Sequence, residues 1–555
     1  MATDGDNNGK PPLMKRSVVS SFLYKFTKEN GERKAKIALF KRSGKVRTYP
    51  HRWAVVSGSI DPEDPSPQAA AWREIKEETS LTQSSLELMR QGKSYILPDE
   101  SIGREWTIYP FAFRLKDTSE GGKGEEGITL DWEHDDWAWY DPFEIEDSES
   151  FGAVPRLAES LRRVWFEKGL GDDAGAVLTA GLDRLKNDHQ SGARQLAGAA
   201  LQIMRDIVFK METQQPTDKW WTKVRFAAWH IWKNGRESMG AAILSALLAA
   251  LKPMEEILQQ QKSTTEARDA LVAELDRRIA ARQHAAKAIS IAFASFLQDQ
   301  FASRVESHKP IKILTLSESS TITYALRHVI ATSPVFLDVR ILESRPLFEG
   351  VSLASSLLSD VSSHGGHKVT LGGEDACHAP HPKLQLTLFT DASSALASQG
   401  VDIVLLGADR ISDSGDVSNK TGSLPAVLSA KHVSSEAKTV ILSEQEKVAP
   451  PGAEHAVENN DATQMTRAWK AEYNSETIKQ SAGTVSRSLG GSAAAGRPAS
   501  ANAASCVEIQ DISFEWVPAS LVDVFVTEHG IATLRDIRDL SKALGSDEER
   551  FFSEI

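Results

Sequence analysis

The chain has 555 residues, 41% of them hydrophobic and 25% charged, with a net charge of -12 and a pI near 5.7. That length exceeds one ordinary hydrophobic core and implies about three folding units. The acidic balance argues against a sequence-independent grip on nucleic acid, which needs a basic surface, but leaves room for local phosphate sites.

The opening MATDGDNNGKPPLMKRS has early acids and no apolar core, so it matches neither a secretory signal nor a transit peptide. Residues 1–17 are expected to be a disordered tail. From Val18 to Leu115, short apolar or alternating runs predict strands, among them IALF from Ile37, SYIL from Ser94 and TIYPFAFRL from Thr107. PQAAAWREIKEETSL interrupts them as a helix. PRLAESLRRVWFEKG, with a proline at its start and a glycine at its end, predicts another helix that closes a first domain over residues 18–168.

The first of these helices carries chemistry. Positions i, i+3 and i+4 share a helix face, so Glu74, Glu77 and Glu78 converge, with Arg73 beside them. Like charges so close repel unless they are paired or hold a cation. Hard oxygen ligands suit Mg2+ or Mn2+, which can neutralise a diphosphate and polarise an attacking water. Taken alone, the same residues also fit a solvated charged face laced with Lys76.

The surrounding GSIDPEDPSPQAAAWREIKEETSL resembles the Nudix box, the loop–helix–loop signature of the Nudix hydrolases. REIKEE is intact, with Ile75 and Leu81 at the aliphatic positions. Ser59 replaces the first glycine of the pattern, next to Gly58; Pro65 replaces the upstream glutamate, with Glu63 and Asp64 beside it; Ser80 replaces the last glycine. The resemblance covers residues 18–168 and implies a Nudix α/β/α sandwich. It implies that Glu74, Glu77 and Glu78 ligate Mg2+ or Mn2+, that Glu77 is catalytic and that Arg73 orients one of the glutamates. The implied substrate is a nucleoside diphosphate derivative. In WEHDDWAWYDP, Glu133 is the candidate for the further acid that completes such a site on its substrate side.

Residues 170–305 read as a helical subdomain. Trp220, Trp221, Trp229 and Trp232 form a stripe that suits core packing better than a ligand cage. The apolar run from Ala241 is too short to span a bilayer and ends in a proline, so it is expected to be a buried helix. Residues 308–555 change texture: KILTL, VFLDVRIL, LQLTLFT, VDIVLLGA, KTVILS and LVDVFVT alternate with helical stretches, the pattern of a doubly wound parallel sheet. A loop with His364, His367, Cys377, His378 and His381 has spacing compatible with zinc, but it matches no zinc module and reads as a solvent loop. A low-complexity loop near 472–505 is expected to be disordered. The cysteines are only Cys377 and Cys506, which points to a reducing, cytoplasmic compartment.

Ligands of open parallel sheets bind beyond the carboxyl ends of the strands. There the sequence collects Ser317, Glu343, Arg345, Asp391, Asp409, Arg410, Glu444 and Glu528, a setting for phosphate and hydroxyl groups. LESRPLFEG, LLGADRISDSGDVSNKTGS and FEWVPASLVDVFVTEHG resemble the family uniting initiation factor 2B α/β/δ subunits with methylthioribose-1-phosphate and ribose-1,5-bisphosphate isomerases. The resemblance covers residues 170–555 and implies a Rossmann-like, sugar-phosphate-binding domain. In it Asp409 matches the catalytic acid, Asn419 and Lys420 match substrate-contacting positions, and Arg345 lies in the E-x-R-P turn. Ser191–Arg194 and Gly235–Ser238, with Arg236, resemble phosphate-binding stretches of the helical part. Ser317 stands where the isomerases place a catalytic cysteine, and serine cannot readily supply a thiolate-like group. Sugar-phosphate binding is therefore expected to survive better than isomerisation.

Together these features predict a bifunctional α/β multidomain protein with a hydrolase half and a sugar-phosphate half. The other reading is a regulatory or scaffold protein that forms homodimers or pairs with initiation factor 2B-like subunits. Neither membrane insertion nor direct nucleic-acid binding is expected.

Overall fold

The computed structural model describes residues 13–29, 32–188, 191–236, 239–261, 263–282, 284–363, 383–453, 463–472 and 510–555. The His/Cys loop, Glu237, Ser238 and the Gly/Ser/Ala-rich stretch from Ala482 to Ser505 lie outside the described residues.

The strands are β1 Met14–Glu29, β2 Glu32–Arg42, β3 Trp53–Ala54, β4 Val56–Ser59, β5 Leu86–Gln91, β6 Tyr95–Asp99, β7 Arg104–Leu115, β8 His134–Tyr140, β9 Ile311–Leu316, β10 Leu337–Leu342, β11 Leu384–Phe389, β12 Ile403–Leu406, β13 Arg410–Ile411, β14 Val417–Lys420, β15 Lys438–Leu442, β16 Phe514–Val517, β17 Val524–Thr527 and β18 Gly530–Ala532. The first eight form one mixed sheet around β1, which pairs antiparallel with β2 and β4 and parallel with β7. Alternation along the strands sorts their side chains onto two faces. Leu23, Ala38 and Phe40 share a core with Ala70, Ala71 and Ile75 of helix α1, Pro67–Thr79. Phe22, Tyr24, Ile37 and Leu39 share another with Leu157, Ala158, Leu161 and Val164 of α2, Leu157–Val164. This is an α/β/α sandwich. Its first strand begins at Met14, ahead of the expected boundary at Val18, because Met14–Ser17 continue the parallel ladder with Arg104–Thr107.

The single helix expected over PRLAESLRRVWFEKG is broken. After α2, Trp165 leaves helical geometry (φ -120°, ψ 74°) and stacks on Tyr24 with ring centroids 5.1 Å apart. The chain then resumes as a short α3, Glu167–Leu170.

The helical part comprises α4 Asp172–Asn187, α5 Ala193–Lys210, α6 Thr217–Asn234, α7 Gly240–Leu258, α8 Thr264–Arg282 and α9 Ala285–Gln300, followed by the short α10 Ala302–Glu306. Trp220, Trp221 and Trp229 are buried in its core, and α7 is the buried apolar helix, with Pro253 inside it. Among the described residues, no helix is long and apolar enough to cross a membrane.

The second large sheet runs β11-β10-β9-β12-β15-β17-β18, parallel except at β18. Ile311, Ile313, Ile403 and Leu405 face a core shared with α9 and with α11, Ser320–Thr332. Leu314, Leu316, Val404 and Leu406 face the other way, into a core continuous with the helical part. Helices on both faces make the sheet doubly wound. A small antiparallel sheet, β13-β14-β16, sits beyond it. Further helices of this domain are α12 Glu349–Ser363, α13 Ser423–Val433 and α14 Leu534–Phe552.

The edge strand β5 meets the helical part directly. The Asn234 side-chain amide accepts from Gln91 N–H at 2.8 Å and donates to Gln91 C=O at 3.0 Å, as a neighbouring strand would. Lys186 Nζ donates to the Leu88 carbonyl at 3.0 Å, and Arg90 pairs with Glu167.

Candidate functional sites

Helix α1 starts where Ser66 caps it by accepting from Ala69 N–H at 3.2 Å and Pro67 opens its first turn. It ends at Ser80, whose φ of 60° is left-handed, the conformation a glycine would take without strain. At the other glycine position, Gly58 supplies the space. A Cβ there would lie 2.0 Å from the Glu74 carboxyl carbon, so Gly58 rather than residue 59 lets Glu74 pack onto β4.

Arg73 organises the face. Its Nε and Nη2 donate to the two Asp64 carboxylate oxygens at 3.2 and 2.8 Å, and Nη2 also donates to the Ser59 carbonyl at 2.9 Å. Its Nη1 bridges Glu74 Oε1 at 2.8 Å and Glu77 Oε2 at 3.3 Å. The Arg73 hydrogen bonds hold the Asp64 carboxyl below its ordinary value. Asp64 is the residue sequence reasoning passed over: it stands beside the missing upstream glutamate, but only the loop's curvature reveals that it reaches Arg73.

Glu78 points inward. Its side chain is buried, and Oε2 has no hydrogen-bond partner, lying 3.6 Å from His134 Nε2. Burial pushes the Glu78 carboxyl well above the usual range, and the charges of Glu74, Glu133 and Asp131 add to the effect. Burial also raises Glu74 against the pull of Arg73, with Glu77 and Glu133 pushing the same way. Glu133 is raised by burial, opposed by Arg42 and helped by Asp131. The expected acids are thus electrostatically coupled, and Glu77 is the exposed member. Among the described residues, no group of three or more His, Cys, Asp or Glu already stands in a geometry that could hold a metal ion. Yet an orphaned, buried carboxylate oxygen among acids held above their ordinary values is the chemistry a divalent cation relieves, so the donor set fits Mg2+ or Mn2+.

The second site lies at the carboxyl edge of the parallel sheet. Ser317, directly after β9, has φ 63°; its N–H donates to Ser344 Oγ at 2.7 Å and its Oγ to Glu349 Oε2 at 2.9 Å. Lys420, at the end of β14, donates to Glu349 Oε1 at 3.1 Å. The neighbouring Asn419 Nδ2 donates to Ser423 Oγ at 2.9 Å, and Asp409 N–H pairs with the Ser418 carbonyl at 2.9 Å. In the turn after β10, the Ser344 and Arg345 N–H groups both donate to the Asp391 carboxylate at 2.8 Å. The exposed Arg345 guanidinium donates to Glu343 at 2.9 Å and lies 5.0 Å from the Phe348 ring centroid. Ser317 and Lys420 are therefore brought together through Glu349, while Arg345 belongs to the adjoining turn.

From the helical part, Arg236 donates to the Asp188 carbonyl at 2.7 Å. Arg194 approaches buried Glu444 at 3.9 Å, and Arg282 pairs with Glu446. Burial pushes the Arg282 guanidinium down to about 10, partly countered by Glu444. At the N-terminus of α13, where an anion could sit, the amides of Gly422 and Leu424 already donate to Glu515 at 2.6 and 3.0 Å.

The NUDIX domain matches residues 16–164, and the Initiation factor 2 subunit family matches residues 189–361 and 376–534. A methylthioribose-1-phosphate isomerase of Zea mays is 30% identical over 164 residues, 28% of this chain and 36% of that protein. One from Hordeum vulgare is 27% identical over 259 residues, 45% of this chain and 57% of that protein. A probable bifunctional methylthioribose-1-phosphate isomerase/methylthioribulose-1-phosphate dehydratase of Nocardia farcinica is 28% identical over 232 residues, 41% of this chain and 33% of that protein. The chain thus spans between 33% and 57% of the length of these relatives. Among solved structures, the 5-methylthioribose 1-phosphate isomerase of Pyrococcus horikoshii OT3 has 16% identity and a TM-score of 0.42, covering 66% of this chain and 87% of that one. The translation initiation factor eIF-2B of the same organism has 18% identity and a TM-score of 0.40, covering 65% of this chain and 98% of that one. With more than half of its length matched, the chain belongs to the initiation factor 2 subunit family and carries a NUDIX domain on its N-terminal side.

Proposed function

We propose that the N-terminal half hydrolyses a nucleoside diphosphate derivative in a Mg2+- or Mn2+-dependent reaction, and that the C-terminal half binds a sugar phosphate. The observation that carries the first part is the buried Glu78 Oε2, without a hydrogen-bond partner among acids raised by burial first and by one another's charge second. Glu74, Glu77 and Glu78 would hold the cation, which when bound neutralises the diphosphate and makes a water more acidic. Arg73, fixed on both oxygens of Asp64, positions Glu74 and Glu77. Glu133 closes the site on the substrate side.

In the C-terminal half, Ser317, Arg345, Asn419 and Lys420, with Arg236 from the helical part, are the proposed groups for phosphate and sugar hydroxyls. Asp409 is the proposed acid of an aldose–ketose conversion of the kind named for the methylthioribose-1-phosphate isomerases. A second reading, binding and regulation within a homodimer or with initiation factor 2B-like subunits, is favoured by one feature. Residue 317 offers a hydroxyl already donated to Glu349, not a thiol.

The test is release of phosphate-containing products from a nucleoside-diphosphate panel with Mg2+ or Mn2+, by wild type, Glu77→Gln and Glu78→Gln. Turnover that falls by about 100-fold or more in both variants is the expected result. No metal-dependent turnover by wild type across the panel would shift the protein to the binding and regulatory reading.

A further inference from the structure

Ser317, Glu349 and Lys420 form a continuous hydrogen-bonded line drawn from three elements: the turn after β9, the first residue of α12 and the last of β14. Glu349 is held firmly in that line. Behind it, Gly350 packs so closely on the end of β10 that a Cβ would lie 2.0 Å from the Leu342 carbonyl oxygen, and its N–H donates to the Glu343 carbonyl at 3.1 Å. Three non-glycine residues around it are left-handed: Ser317 at φ 63°, Ser344 at 61° and Phe348 at 57°. Such strain persists only where the surroundings over-determine the backbone, and it clusters at functional sites.

A purely structural ion pair would explain the Lys420 contact alone. It does not explain why a strained serine at the sheet's ligand-binding edge aims its hydroxyl at the other carboxylate oxygen, or why both side chains keep some exposure, 11% for Lys420 and 25% for Glu349. Glu349 Oε2 is therefore an acceptor offered 2.9 Å from the Ser317 hydroxyl, at the ligand-binding edge of the sheet.

We propose that Glu349 is the proton-transferring group of the C-terminal site, moving hydrogen between adjacent carbons of a sugar 1-phosphate. The proposal rests on the sugar-phosphate isomerase reading of that half. The balance closes without an oxidant or reductant. The ring C1–O4 bond breaks as O4 takes a proton from an acid, the role proposed for Asp409. The C2–H proton passes to Glu349, and its electron pair forms the C1=C2 bond of an enol phosphate. Collapse returns the O2 proton to the acid, forms the C2 carbonyl, and delivers to C1 a proton from Glu349, whose partly exposed carboxyl exchanges with solvent between the two transfers. Ser317 Oγ and Lys420 Nζ position the carboxylate.

The experiment uses the full chain with methylthioribose 1-phosphate in D2O, reading ketose formation and deuterium at C1 by NMR, with calorimetric binding of the same compound in parallel. Wild type is expected to bind, turn over and place solvent deuterium at C1. Glu349→Gln is expected to bind within about 3-fold of wild type and to lose about 100-fold or more in kcat with little change in KM. Glu349→Asp, which keeps the charge, is expected to recover part of the loss and guards against a folding defect in the glutamine variant. Full turnover by Glu349→Gln, product with no solvent deuterium, or binding by wild type without turnover would overturn the proposal. Failure of wild type even to bind would remove the sugar-phosphate reading and this proposal with it.

Discussion

At the scale of single residues, the departures of REIKEE's surroundings from the Nudix pattern have different physical meanings. Ser80 occupies a left-handed backbone position, which costs an L-residue about 1–2 kcal/mol, of which glycine's extra unfolded-state freedom gives back part. Ser80→Gly is therefore expected to stabilise the protein by about 0.5–1 kcal/mol, measured as a rise in the urea midpoint at unchanged slope. The missing glycine at 59 carries no such strain, because Gly58 already makes room for Glu74. The sequence displayed the acids of the first site because helical periodicity alone puts them on one face. It could not display Glu349 or Asp64 as site residues. Each acts by reaching a partner in a different element, and Glu349 lies 32 positions from Ser317 and 71 from Lys420.

At the scale of elements, the long apolar strands were legible: KILTL, VFLDVRIL, LQLTLFT, VDIVLLGA, KTVILS and LVDVFVT became β9, β10, β11, β12, β15 and β17. The small sheet β13-β14-β16 was not. Its strands are two to four residues long, and β16 pairs with residues nearly a hundred positions earlier. Nor could local pattern show that a tryptophan would break the helix after Val164, since the stacking partner Tyr24 comes from β1. The junction of the two halves is likewise a matter of elements meeting. Asn234 on α6 supplies both hydrogen bonds of the Gln91 backbone on β5. Asn234→Ala should cost about 1–3 kcal/mol by leaving these groups unpaired. Hydrogen exchange at the Gln91 amide is expected to accelerate, while amides of β9 and β12 stay protected.

At the scale of the whole molecule, the acids of the first candidate site set how stability depends on pH and, under the proposed function, on metal. Glu74, Glu78 and Glu133 have carboxyls raised on folding, so the folded state binds protons more readily than the unfolded chain. Their contribution is then least unfavourable at and below the unfolded glutamate value of about 4.3, and stability is lost as pH rises through the raised folded values. In chelator, Glu78→Gln should unfold at higher temperature than wild type at pH 8, with the gap shrinking as pH falls. Added Mg2+ should raise the wild-type midpoint and move the variant's much less, as thermal scans would read.

The last helix, α14, packs on α6 within the C-terminal half, where Trp232 stacks on Phe552 at 5.8 Å and Arg225 donates to the Phe551 carbonyl, and the residue Ile555 beyond it reaches the other half by accepting from Arg163 at 3.2 Å. The Asn234 clamp has a further consequence. An uncovered sheet edge is a template for another chain, and proteins blunt such edges to avoid clumping. Here the helical half does the blunting for β5. Cut free of it, the hydrolase-like half would expose the Gln91 and Leu88 backbone groups to any passing strand, so the fusion acts as a built-in guard against self-association.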